Sequence, residues 1–136
     1  MNTQLYCHGS WRPNKKAVLS YIFFNKNHPN GFIQQKVIEC PTCYRAQLQA
    51  IMYGLADIDN YDNDISHIIA YTNLKQLMDT WNKVKENNNL SVAHADLFRQ
   101  ILIFEKNNND VQIIYSTSRQ IEKLKMLNDQ KFKELA

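Results

Sequence analysis

The strongest constraint on how this chain can fold lies at its N-terminal end, where three apolar runs follow one another with only short polar connections between them. Thr3 to His8 reads as a short strand. Lys16 to Phe24 sets Val18, Ser20, Ile22 and Phe24 against Ala17, Leu19, Tyr21 and Phe23, so both faces of an extended segment are mostly apolar. Phe32 to Ile38 is the third run, entered through the dense turn signal His28-Pro29-Asn30-Gly31. The connections are too short for crossovers, so the expected arrangement is an antiparallel meander whose middle strand is covered on both sides.

The rest of the chain supplies that cover. Cys40-Pro41-Thr42-Cys43 breaks the strand pattern, and Tyr44 to Asp57 then reads as a helix with an apolar side of Leu48, Ile51, Met52, Leu55 and Ile58. A polar loop from Asp59 to Asp64 leads to a fourth strand, Ser66 to Thr72, whose near-continuous apolar run suits a parallel position buried on both faces. Helices are expected from Leu74 to Glu86 and from Ala93 to Lys106, separated by Asn87-Asn88-Asn89. Asn107-Asn108-Asn109 precedes a fifth strand, Val111 to Ser116, and an amphipathic helix from Ile121 to Leu135 closes the chain. The order is βββαβααβα, an α/β fold with a mixed five-stranded sheet and helices on both faces. At 136 residues and 44% hydrophobic content the chain suits one domain, 1–136, with one core. No apolar run approaches membrane-spanning length and Met-Asn-Thr-Gln lacks signal-peptide character, so a cytoplasmic protein without membrane association is expected. A net charge of +3 neither selects nor excludes a polyanionic partner.

Chemistry is expected first at Leu5-Tyr6-Cys7-His8-Gly9-Ser10-Trp11, where a strand ends in a polar side chain followed by Gly9, a place for the backbone to turn. With neither a nucleophile nor an orienting acid beside it, His8 reads as a hydrogen-bonded group rather than a general base.

Five short stretches in order resemble the ribonuclease H family, over nearly the whole chain. Tyr6-Cys7-His8-Gly9-Ser10 resembles the family's opening Tyr-Thr-Asp-Gly-Ser, and Arg45-Ala46-Gln47-Leu48 its Arg-Ala-Glu-Leu. Tyr71-Thr72-Asn73 resembles Tyr-Thr-Asp, Asp96-Leu97-Phe98-Arg99 an Asp-Leu-Trp stretch, and Phe132-Lys133-Glu134-Leu135-Ala136 the closing Ala-Asp-Glu-Leu-Ala. The resemblance places the family's four catalytic carboxylates at His8, Gln47, Asn73 and Lys133, none of which is acidic. Two-metal hydrolysis needs anions there, because only clustered carboxylates with substrate phosphate hold two mutually repelling magnesium ions. An ammonium at the fourth position adds about 4 kcal/mol of repulsion per unit charge at 4 Å and an effective dielectric of 20. Glu39, Asp79, Asp96, Asp129 and Glu134 do not take the vacated places, since a one-residue slip in a strand reverses the side chain. The resemblance thus implies a catalytically inactive relative with no metal site and no cofactor.

It also implies contacts to nucleic acid. Thr42 matches a threonine that holds a DNA phosphate, and the Gly9 backbone with Ser10 could donate to another. Trp11 is expected in a loop beside Arg12, Lys15 and Lys16, an exposed aromatic suited to stacking on a base or anchoring in a protein pocket. Cys43 and Tyr44 stand where the family reads the hybrid minor groove with two amides, and His94 where it carries a phosphate-contacting asparagine. Only Asn87 to Val92 separates the two middle helices, so the basic protrusion of some members is absent, and Thr117 to Met126 lacks the family's histidine. Lys123, Lys125, Lys131 and Lys133 make the final helix basic. The expected partner is RNA, DNA or an RNA/DNA hybrid gripped by Gly9, Ser10, Trp11, Arg12, Thr42 and Lys133; the alternative is a protein partner, with the domain a scaffold in a larger assembly, and a third, less favoured, is a residual metal-dependent RNA/DNA hybrid endonuclease.

Other features have structural readings. Cys40 and Cys43 form a Cys-x-x-Cys pair at a helix start, but a structural zinc needs two more ligands and Cys7 alternates away from His8, so unpaired thiols are expected. Asp57 to Asp64 is acidic yet lacks the glycine and closing glutamate of a calcium loop. His28 falls in a turn and His67 at a strand start, while Trp81, Phe98 and Phe104 recur at helical spacing as core residues.

Overall fold

Each of the five expected strands and four expected helices is present in a computed structural model, which describes residues 2–14, 16–62, 67–87, 90–108 and 110–135. Strands β1 (Asn2–Trp11), β2 (Lys16–Phe24) and β3 (Phe32–Glu39) form the antiparallel meander. β4 (His67–Thr72) and β5 (Asp110–Tyr115) then add in parallel beyond β1, giving the sheet order β3-β2-β1-β4-β5. Helices α1 (Cys43–Tyr61), α2 (Lys75–Asn87), α3 (Ala95–Asn108) and α4 (Arg119–Leu135) complete the order βββαβααβα. Lys15, Asn63, Asp64, Ser66, Asn88, Asn89, Asn109 and Ala136, which carry parts of the sequence-based expectations, lie outside the described residues.

Alternation along β1 and β2 sorts the helices between two faces. Leu5, Cys7, Leu19, Tyr21 and Phe23 join Leu48, Ile51, Leu55, Trp81, Phe98 and Ile113 in one large buried cluster on the side of α1, α2 and α3. On the opposite side Val18, Ile22, Ile121 and Leu124 are buried under α4. β2 is consequently covered on both faces, as its sequence demands. Among the described residues no helix is long and apolar enough to cross a membrane.

Several boundaries differ from the sequence expectation, each for a local reason. β1 does not end at His8, and the backbone does not turn at Gly9: the strand continues to Trp11, paired with Ala17, and the turn closes with Arg12 N–H donating to Lys16 O at 3.0 Å. Gly9 is required instead by close approach, because a Cβ there would lie 2.3 Å from the Ala46 carbonyl oxygen of α1. α1 runs through Asp59 to Tyr61 rather than yielding to a loop, since Ile58 is fully buried and draws the extra turn inward. The helix stops where Asp62 donates its backbone N–H to Ile58 O, and the buried Asp62 carboxylate accepts from Asn25 Nδ2 at 2.6 Å and Asn27 Nδ2 at 2.9 Å. α3 begins two residues later than expected because His94 is left-handed, with φ of 59°, and its carbonyl accepts the Leu97 N–H at 3.0 Å.

Candidate functional site

β1 and β4 are parallel neighbours, so side chains from their C-terminal halves share one end of the sheet. His8 comes from β1, Asn73 directly follows β4, and Gln47 stands on the first turns of α1, which Thr42 starts by accepting the Arg45 N–H at 3.2 Å. Gln47 Oε1 accepts the Gly9 backbone N–H at 2.9 Å, Gln47 Nε2 donates to Asn73 Oδ1 at 3.0 Å, and the same nitrogen lies 3.5 Å from His8 Nδ1. His8 and Gln47 are buried, each 6% exposed. The structure thus brings three of the four positions into one hydrogen-bonded cluster.

That cluster is neutral. Burial holds the His8 imidazole below its ordinary value of 6.5; a hydrogen bond to Asn73 acts the other way, as do the charges of Asp129 and Glu122, while Lys125 depresses it further. At neutral pH His8 carries no charge, and both amide oxygens already accept hydrogen bonds or face donors of the cluster.

α4 braces this arrangement through Asn128, which is wholly buried. Its Nδ2 donates to His8 O at 3.1 Å and to Ser10 Oγ at 3.2 Å, and its Oδ1 accepts from the Ser20 hydroxyl. Asn128 was open to detection in the sequence, since it occupies the stripe of Ile121 and Leu124 where a polar residue has to find internal partners. Lys133 is not the α4 cation that acts on His8. It is exposed and lies eight residues beyond Lys125, roughly 12 Å further along the helix.

The remaining expected contact groups are largely engaged within the protein. Gly9 gives its N–H to Gln47, and Ser10 is buried against Asn128. Trp11 does not stand in an exposed loop: it ends β1, is half-buried against the core, and donates its indole N–H to Cys40 O at 2.8 Å. The Thr42 hydroxyl caps α1. Arg12 is exposed, with Nη2 3.3 Å from Asp129 Oδ1 and its guanidinium 4.2 Å above the Phe132 ring. Beyond the cluster, His94 stacks on Tyr44 with centroids 4.8 Å apart, and Arg45 binds Asp96 at 3.2 and 2.5 Å. That pairing holds the Asp96 carboxyl below its ordinary range and offsets the arginine's charge.

A pair of divalent cations, which two-metal hydrolysis would need, does not fit these residues. Magnesium takes hard, anionic oxygens, whereas His8, Gln47 and Asn73 supply one imidazole and two amides bound to one another. Among the described residues no group of three or more His, Cys, Asp or Glu is arranged to hold an ion. Cys7 and Cys40 are buried, Cys43 is exposed, and all three thiols are unpaired.

No family model matches the sequence, and no curated protein matches it. Solved structures do resemble the fold. RNase H1 from the halophilic archaeon Halobacterium salinarum superposes with a TM-score of 0.76 at 14% identity, covering 98% of this chain and 99% of that one. The N-terminal RNase H domain of a Mycobacterium tuberculosis protein, solved as a fusion with maltose binding protein, gives 0.76 at 12% identity over 96% and 98%. LC11-RNase H1 in complex with an RNA/DNA hybrid gives 0.73 at 14% identity over 98% and 99%. With its strand order, its helices on both faces and these superpositions over nearly its full length, the chain has the ribonuclease H fold.

Proposed function

We propose that this chain is a catalytically inactive ribonuclease H-like protein, a pseudoenzyme, whose former metal cleft is filled by a neutral, self-satisfied cluster. The observation that carries this reading is Gln47, which accepts from Gly9 and donates to Asn73 at once. Two-metal phosphodiester hydrolysis depends on clustered anions to hold the ions and polarise the attacking water. Here the carboxylates acting on His8, Asp129 and Glu122, belong to α4 and are opposed by Lys125.

On this reading the domain binds nucleic acid without cutting it. Support comes from the complex of LC11-RNase H1 with an RNA/DNA hybrid and from the exposed cations Arg12, Lys123, Lys125 and Lys133 along α4 and beside it. These side chains supply phosphate contacts, while Gly9, Ser10, Trp11 and Thr42 serve mainly the fold. Binding carried by such cations weakens steeply as salt rises, because counterions are released from the phosphate backbone. A titration against single-stranded RNA, duplex DNA and RNA/DNA hybrid at low and physiological salt, with Lys125→Asp and Lys133→Asp in parallel, tests it. Salt-sensitive binding reduced in the variants is expected.

The internal engagement of Gly9, Trp11 and Thr42 favours a second reading, an interaction scaffold whose groove is vestigial. Absence of binding to all three nucleic acids even at low salt would select it.

A further inference from the structure

The two edges of the sheet are treated in opposite ways. At β5 outward backbone groups at both ends of the strand are occupied: Val111 N–H donates to Glu105 Oε2 at 2.9 Å, Val111 O accepts from Trp81 Nε1 at 3.0 Å and Lys85 Nζ at 2.9 Å, and Tyr115 N–H points at Met78 Sδ at 3.4 Å. Side chains of α2 and α3 thus obstruct both ends of that edge.

β3, the other edge, has no such guard. Its eight residues pair with β2 in unbroken register from Phe23↔Phe32 to Lys16↔Glu39, without a bulge or proline. Among the described residues no backbone hydrogen bond leaves its outer side. Edge strands are commonly protected by an outward lysine, but Lys36 lies on the α1 side with its ammonium 5.4 Å from the Tyr53 ring. On the α4 side the strand presents Ile33, 43% exposed, and Val37, 40% exposed, with the exposed Leu127 beside Ile33. A shallow cleft of about 280 Å³ beside Ile33 is lined by Ser20, Gln35 and Leu127.

We propose that β3 is a dimerisation edge, pairing antiparallel with β3 of a second copy of this chain about a twofold axis at Gln35 to form one continuous ten-stranded sheet. The sequence of the strand selects both occupant and register. A twofold at Gln35 sets Ile33 opposite Val37 of the second copy and Val37 opposite its Ile33, on the same face, so each valine enters the cleft beside an isoleucine. It also sets Lys36 opposite Gln34, with no like charges facing. Moving the axis to Lys36 would oppose two lysines, and moving it to Gln34 would leave Val37 opposite Gly31. The α4 helices of both copies then lie on one side of the joined sheet, each with Leu127 beside the Ile33 cleft.

Sedimentation of the full chain across a concentration series tests this, since a dimer dissociates by mass action. The expected species has twice the 16.0 kDa of one chain and is lost in Ile33→Lys and Val37→Lys, whose circular dichroism stays that of the parent because both side chains are exposed. Register is tested separately in a Cys43→Ser background: opposed residues on antiparallel strands stand about 4.5–5.5 Å apart at Cα, within disulfide reach. Ile33→Cys combined with Val37→Cys should give a covalent dimer on mild oxidation, and Ile33→Cys alone should not. A monomer at every concentration, or a dimer indifferent to both lysines, would overturn the proposal; in the monomeric case the open edge is left to a strand from a different protein.

Discussion

Gln47 Nε2 donates to Asn73 Oδ1 across 3.0 Å, joining the first turns of α1 to the end of β4. Because Gln47 Oε1 is fixed by the Gly9 N–H, the amide cannot rotate without losing both bonds. Gln47→Glu removes the N–H that Asn73 Oδ1 accepts and turns a buried carboxylate toward that oxygen. We expect a loss of about 2 kcal/mol in denaturant titrations at neutral pH. Burial raises the pKa of the introduced carboxyl, so the deficit relative to the parent shrinks as pH falls and the group becomes protonated.

Gly9→Ala tests the close approach of β1 and α1. The new methyl would meet Ala46 O at 2.3 Å and Gln47 N at 2.7 Å, both backbone atoms that cannot step aside. A loss of 3 kcal/mol or more is expected, about the upper range for overpacking, read as a lower urea midpoint or failure to fold.

Asn128→Ala would leave His8 O, Ser10 and Ser20 without a shared partner beneath α4. Unmatched buried polar groups cost about 1–3 kcal/mol, so destabilisation in that range is expected by denaturant titration. Hydrogen exchange should accelerate first in α4, because the polar joint holding it to β1 and β2 is gone. Uniform acceleration across the sheet would argue that Asn128 serves global packing alone.

His8 should titrate below 6.5 when followed by NMR, since its burial opposes protonation. The unfolded chain takes up this proton near 6.5 and the folded one only at lower pH, so stability declines as pH drops below about 6.5. His8→Gln should flatten that decline. His94, held down by burial and by Arg45, works in the same direction, so part of the slope survives.

Much of the fold was legible because strands and helices leave different hydrophobic periods. Val18 to Phe23, apolar on both faces apart from Ser20, announced an interior strand, and Leu48, Ile51 and Leu55 announced the helix over it. What escaped were features set by tertiary contact. Gly9 looked like a turn because nothing in the sequence reveals the Ala46 backbone lying against it. Trp11 looked exposed among cations until the Cys40 carbonyl supplied a partner for its indole. On α4 the match of Lys133 to a closing motif gave no distance along the helix axis, and the residues that act on His8 are Lys125, Asn128 and Asp129, roughly one to two turns nearer the helix start.

Whether the neutral cleft lacks hydrolytic activity is decided by incubating the purified chain with an RNA/DNA hybrid in magnesium and then in manganese, beside His8→Ala. No cleavage above the protein-free blank is expected with either ion, and the traces for parent and variant should be indistinguishable. Metal-dependent turnover by the parent that His8→Ala abolishes would contradict it.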